Sequence, residues 1–225
     1  MQDARNFYIN GAWVAPVEGR DFAVIDPSTE RACATISLGG NADTNAAVAA
    51  AKAAFPKWRL SSKAERIELM ETILDVYMRR SDEMAAAIST EMGAPIDMAK
   101  VQQSGTGSTH LTAFIRALKE FEFETPLRAG DEDTQIIREP IGVCALITPW
   151  NWPMNQITLK VGAASIAGCT MVLKPSEQSP LNAMIFAEMM HEAGFPPGVF
   201  NFLNGDGAGV GSQLSAHPDV DMVSF

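Results

Sequence analysis

The sequence predicts an α/β protein: a parallel sheet flanked by helices in its second half, preceded by a mostly helical amino-terminal segment. Three observations predict it. After Pro140, short apolar runs alternate with longer amphipathic ones, and glycines close the longer runs. Before Glu120, apolar residues recur at helical spacing between recognisable caps. The 225 residues are 47% apolar and 20% charged, the proportions of a globular chain with a sizeable core and no long disordered region.

In chain order, Phe7 to Val14 predicts a short strand pair around Asn10-Gly11, a strong hairpin dipeptide. Asp26-Pro27-Ser28-Thr29 predicts a turn. Asp43 stands where a helix N-cap belongs, ahead of an alanine-rich run to Phe55 that Pro56 helps to stop. Ser62 and Glu65 fit a capping box. Ile67, Met70, Ile73, Leu74 and Tyr77 follow at helical spacing with charged residues between them. Ser81 or Asp82 caps the next helix, which ends at Gly93 with Pro95 just beyond. A further helix is expected from Ile96 to Lys119, weakened in its middle by Gly105 and Gly107.

From Phe121 the texture changes. Pro126, Gly130 and Asp131-Glu132-Asp133 are turn-like, and Thr134 to Arg138 alternates weakly, as an exposed strand does. Strand and helix then alternate. The expected strands are Val143–Ile147, Thr170–Leu173, Val199–Leu203 and Val220–Phe225. The expected helices are Pro153–Ala167 closed by Gly168, Pro180–Ala193 closed by Gly194, and a short Ala208–Ser215. The divisions expected are 1–120, 121–140 and 141–225. Ligands of such a sheet gather beyond the carboxyl ends of its strands.

A formal net charge of −10 argues against nucleic acid and against a basic membrane-surface patch. No apolar stretch approaches the roughly 20 residues needed to cross a bilayer, and the first ten residues lack the pattern of a signal peptide. Cys33, Cys144 and Cys169 are odd in number and form no CxxC pair, so neither a disulfide framework nor a zinc site is expected. The expectation is a reduced, cytoplasmic protein without a metal.

Three strand ends carry the candidate chemistry. In Thr148-Pro149-Trp150-Asn151-Trp152-Pro153, a stiff loop offers one amide side chain. Asn151 either donates to a developing oxyanion or satisfies nearby backbone. In Lys174-Pro175-Ser176-Glu177, Glu177 can accept from a ribose diol and Lys174 can donate to sugar or phosphate oxygens. The alternative is a capping Ser176 between a solvated Lys and Glu. In Asn204-Gly205-Asp206-Gly207-Ala208-Gly209-Val210-Gly211, alternate glycines allow close backbone approach. The run is not GxGxxG, and a plain tight connection remains open. Lys160, a lone cation among apolar residues, either snorkels to solvent or points into the cleft of Asn151.

Together these runs resemble the aldehyde dehydrogenase superfamily. Glu139-Pro140-Ile141-Gly142-Val143, Thr148-Pro149-Trp150-Asn151, Lys174-Pro175-Ser176-Glu177 and Phe195-Pro196-Pro197-Gly198-Val199 stand in that family's order and spacing. Tyr8-Ile9-Asn10-Gly11 and Glu91-Met92-Gly93-Ala94-Pro95 fit it too. The resemblance implies a Rossmann-like sheet and NAD(P)-dependent oxidation of an aldehyde through a cysteine thiolate, with a glutamate activating water. It implies that Asn151 helps to form the oxyanion hole and that Lys160 lies near the reacting centre. Ile147, Thr148, Pro149 and Trp150 would shape the cofactor cleft. Lys174, Ser176 and Glu177 would face the adenosine ribose, and Gly207 would line the adenine pocket. Glu177 favours NAD over NADP by charge, with NADP still possible.

The family's pyrophosphate-binding Thr-Gly-Ser stretch would begin immediately after Phe225, its Glu-Leu-Gly-Gly glutamate and its Gly-Gln-x-Cys nucleophile are absent, and the three cysteines read as structural. The expected strand at Val220–Phe225 reads as interior and stops on Phe without turn or polar tail, which suggests a truncated amino-terminal portion. The resemblance thus implies a chain inactive alone, with weak NAD binding. Its parent would take a small aldehyde and form a homodimer or homotetramer, partly through a strand near Gln135. The other reading is a nucleotide-binding or interaction module without turnover.

Overall fold

The computed structural model describes residues 2–130 and 133–225. The expected turn at Asp131-Glu132 lies outside the described residues. The chain begins with strands: β1 (Gln2–Ala4), β2 (Phe7–Ile9), β3 (Ala12–Val14), β4 (Arg20–Asp26) and β5 (Arg31–Leu38). β2 and β3 form the expected hairpin, with Asn10 at φ 52° and Gly11 at φ 81° in its turn. β4 and β5 pair across the expected turn, where Asp26 Oδ1 accepts from the Ser28 amide at 2.8 Å. With β1 they make a separate three-stranded sheet. The sequence predicts neither β4 nor β5: charged residues interrupt β4, and the second half of β5 is buried continuously, so neither shows clean alternation.

Helices then fill 41–120. α1 (Asn41–Trp58) starts two residues before the expected cap: Gly40 is the N-cap, and Asp43, in the first turn, accepts from its amide at 3.0 Å. Pro56 does not stop α1. It lies inside the last turn, and the helix runs to Trp58. α2 (Lys63–Arg79) carries the expected capping box, with the Ser62 amide donating to Glu65 at 2.7 Å and the Glu65 amide to Ser62 at 3.1 Å. α3 (Ser81–Met92) follows Arg80, its N-cap, rather than Ser81 or Asp82, and ends at Gly93 with φ 82°. The helix expected from Ile96 is broken into α4 (Ile96–Met98), a π-helical turn Ala99–Ser104 and α5 (Gly105–Glu120). The break falls just before Gly105, where the backbone is least constrained.

A small antiparallel pair, β6 (Glu124–Pro126) with β7 (Gln135–Ile137), precedes the alternating half. There β8 (Val143–Ile147), α6 (Pro153–Ala167), β9 (Thr170–Lys174), α7 (Leu181–Glu192), β10 (Phe200–Phe202), a π-helical turn Gly207–Gly211, α8 (Ser212–Ala216) and β11 (Met222–Ser224) follow one another. The main sheet runs β11-β8-β9-β10-β2-β3. Its first four strands are parallel, and the amino-terminal hairpin adds two antiparallel strands beyond β10. The expected parallel sheet is present in these four strands, and the hairpin extends it into a mixed one. Within the described residues β11 pairs with β8.

Period-two alternation distributes the strands' side chains. Cys144, Leu146, Met171, Leu173, Phe200 and Phe202 join residues of α2, α3, α5, α6 and α7 in the larger core. Val143, Ala145, Val172 and Leu203 face α1 and α8 on the opposite side. Both faces are covered, which explains why the strand runs read as continuously apolar.

Candidate functional site

The carboxyl ends of β8, β9 and β10 meet at one edge of the sheet. The Thr148 amide donates to the Lys174 carbonyl at 3.1 Å, so the first two strand ends are stitched together. Lys174, 2% exposed, is not solvated. Its ammonium donates to the carbonyls of Pro175 and Gly205, each at 2.6 Å, and so ties the end of β9 to the loop after β10. Glu177 Oε2 lies 3.8 Å away. Burial lowers the lysine pKa, and the charges of Glu177 and Asp206 work against that fall. Ser176 caps a local turn, accepting from the Gln178 amide at 3.2 Å. It does not cap α7, whose N-cap is Pro180.

Gly207 opens the π-helical turn and is exposed, with no atom within 4 Å of the place a Cβ would take. Asp206 caps this turn by accepting from the Gly209 amide. The short helix expected from Ala208 thus begins as a π turn and becomes α-helical only at Ser212. Thr148 Oγ1 and Asn204 Oδ1 are buried at these strand ends without a hydrogen-bond partner among the described residues. Orphaned polar atoms beside a bridged ammonium and an open glycine fit a polar ligand such as a nucleotide sugar. Lys174 and Glu177 would hold its hydroxyls.

On the β8 side, Ile147 is half-buried, and Pro149, Trp150 and Asn151 are exposed, Trp150 to 53%. Trp152 anchors their loop by donating from Nε1 to Thr106 Oγ1 at 3.4 Å. Lys160 is half-buried and donates to Ser224 Oγ at 3.0 Å, at the end of β11, so it neither snorkels freely nor bonds to Asn151. Burial lowers its pKa. Cys144 and Cys169 are buried, and the neighbouring Cys169 and burial push the Cys144 thiol up; Cys33 donates to the Val24 carbonyl at 3.4 Å. None of the three reaches these strand ends.

Two contributors had no signal in the sequence. Asn204 was noted only as the start of a glycine run, and burial of its amide depends on the neighbouring strands. Arg20 pairs with Asp206 at 2.7 Å from 186 residues away.

A sheet with polar groups gathered beyond adjacent parallel strand ends defines an α/β protein of the nucleotide-binding kind. The chain belongs to the aldehyde dehydrogenase family, whose model matches residues 13–225. It is 49% identical over 226 residues to a 3-succinoylsemialdehyde-pyridine dehydrogenase from a Pseudomonas species, covering 100% of this chain and 46% of that protein. It superposes on an aldehyde dehydrogenase from Bartonella henselae with a TM-score of 0.99 and 58% identity, covering 100% of this chain and 47% of that one. A C291A variant of aldehyde dehydrogenase C from Pseudomonas syringae, solved with NAD+ and octanal, matches with a TM-score of 0.94 and 48% identity over 98% of this chain and 44% of that one. The chain thus spans about half the length of the relatives it matches.

Proposed function

We propose that this chain is the cofactor-cleft portion of an enzyme that oxidises an aldehyde to a carboxylic acid with NAD or NADP. One observation carries the reading: the buried Lys174 ammonium, bridged between two strand ends with Glu177 at 3.8 Å. An ammonium donor beside a carboxylate acceptor suits the two hydroxyls of a ribose. The bound dinucleotide would supply a hydride acceptor. The Asn151 amide, exposed at the mouth of the cleft, would donate to the oxyanion that develops at the aldehyde oxygen. Lys160 would place a partly desolvated cation near the same end of the sheet. Cys144 and Cys169 are buried away from these strand ends, near the opposite end of β8 and in the turn before β9, so the chain by itself does not turn over. The octanal complex of the Pseudomonas syringae relative supports a small aldehyde as substrate. The exposed β6–β7 pair would serve homo-oligomerisation of a cytoplasmic parent.

The test titrates the chain with 5′-AMP, followed by NMR shifts. Saturable millimolar binding is expected, weakened about tenfold or more by Lys174→Gln and by Glu177→Gln, with thermal melts confirming that the variants fold. Equal binding by all three proteins, or no saturation, refutes the ribose assignment. Separately, the purified chain with NAD and octanal should show no absorbance rise from reduced cofactor. Turnover by the mass-verified chain would overturn the inactivity.

A further inference from the structure

The ribose-side cluster is completed by a residue from the other sheet. Arg20 opens β4, and its Nη2 donates to Asp206 Oδ2 at 2.7 Å. Asp206 stands between Gly205, whose carbonyl takes the Lys174 ammonium, and Gly207, which opens the turn. The other oxygen of Asp206 accepts from the Gly209 amide, so the carboxylate is held from two sides.

Side-chain exposure rises outward through this cluster: 3% for Lys174, 25% for Glu177, 31% for Asp206 and 70% for Arg20. The order is an inner cation, two carboxylates and an outer cation. A ribose with a free 2′-hydroxyl needs only the inner pair. A 2′-phosphate brings nearly two negative charges close to both carboxylates, and Lys174 is already engaged by two carbonyls. The guanidinium of Arg20 has unused donors in a fork that matches phosphate geometry. Its exposed pair with Asp206 is of a weak kind. Exchange of one carboxylate oxygen for a more highly charged phosphate is therefore downhill, and the long side chain allows it without moving β4.

We propose that Arg20 is an anion-binding arm that sets how well a 2′-phosphorylated adenosine is held beside Lys174. The idea rests on the ribose reading of Lys174 and Glu177 given above. Asp206 acts as the resting partner that holds the arm at the rim.

The experiment titrates the chain with 5′-AMP and with adenosine 2′,5′-bisphosphate, using the wild type, Arg20→Gln and Asp206→Asn. The wild type should bind the bisphosphate at least as tightly as AMP. Arg20→Gln should weaken the bisphosphate about tenfold and leave AMP within about twofold. Asp206→Asn keeps an oxygen for the Gly209 amide but releases the arm, so bisphosphate binding should tighten several-fold. If Arg20→Gln weakens both probes equally, Arg20 only braces the turn and the proposal fails. It fails as well if neither probe responds to Arg20→Gln, or if the wild type prefers AMP more than about tenfold; in either case intact AMP binding leaves the ribose reading standing. Absence of binding by both probes to the wild type overturns the ribose reading and the proposal together.

Discussion

Glu91 is a carboxylate that is 4% exposed, with three N–H donors aimed at it. The amides of Leu181 and Asn182 donate at 2.6 and 2.8 Å, and Asn182 Nδ2 at 2.7 Å, so Glu91 closes the amino end of α7 from α3. Burial pushes its pKa from 4.5 to about 7, with the hydrogen bonds pulling the other way. A group whose folded pKa is raised contributes stability that is fully present below its unfolded value and is lost as pH rises through the folded one. Between pH 4.5 and 8 the wild type should therefore lose on the order of 3 kcal/mol relative to a neutral residue at this site. Glu91→Gln carries a constant penalty for one mismatched donor but lacks that slope. Urea unfolding at pH 5, 6, 7 and 8 measures the difference. Parallel pH profiles for the two proteins would refute the assignment. In the sequence Glu91 was visible only as part of a recognisable run; its burial depends on α7, 90 residues away, and no local pattern encodes that.

At the scale of elements, the caps were the most legible features. Ser62 with Glu65 and the glycines at 93 and 168 act locally, so their chemistry is written in adjacent residues. Gly168 adds a tertiary constraint: at φ 81°, an added Cβ would lie 2.4 Å from the Arg66 guanidinium. That guanidinium is itself buried and donates to the carbonyl of Ile166 in the last turn of α6 at 3.3 Å, a cation at a helix carboxyl end. Gly168→Ala should cost about 1–3 kcal/mol through the unfavourable φ and the displaced arginine, read as a lower urea midpoint. Arg66→Ala, which removes the obstacle, should shrink the alanine penalty in a double-mutant cycle. What the sequence concealed follows the same division. Arg66 fell among residues read as the polar face of α2, and β4 and β5 owe their pairing to each other more than to periodicity. At the site, Lys174 and Glu177 were legible as residue types after a strand. The buried state of Lys174 was not, since the Gly205 carbonyl that holds it arrives from another loop.

For the whole molecule, several exposed apolar residues lie on or next to the small β6–β7 pair, β8 and β11. Leu127 is 49% exposed, Ile137 62%, Ile141 57% and Phe225 91%. Edge strands of this kind invite pairing. Sedimentation over a concentration series should show association of the chain, reduced by Ile137→Lys, which places a charge on β7. A single monomeric species throughout would count against the homo-oligomeric parent proposed above.

The placement of the amino-terminal hairpin has a consequence in time. β2 sits beside β10, and the Asn10 amide donates to Asn201 Oδ1 at 2.9 Å across 191 residues. Tyr8 likewise meets His191 at 3.0 Å. On a ribosome working at roughly 5–20 residues per second, this hairpin waits on the order of 10–40 s for the strand it needs. Until then an apolar pair containing Phe7 and Tyr8 is without its docking surface, so the hairpin is secured long after it is made. Folding of this half-sheet is thus paced by synthesis, and a factor that shields Phe7 to Val14 on the nascent chain would raise the yield of the soluble product.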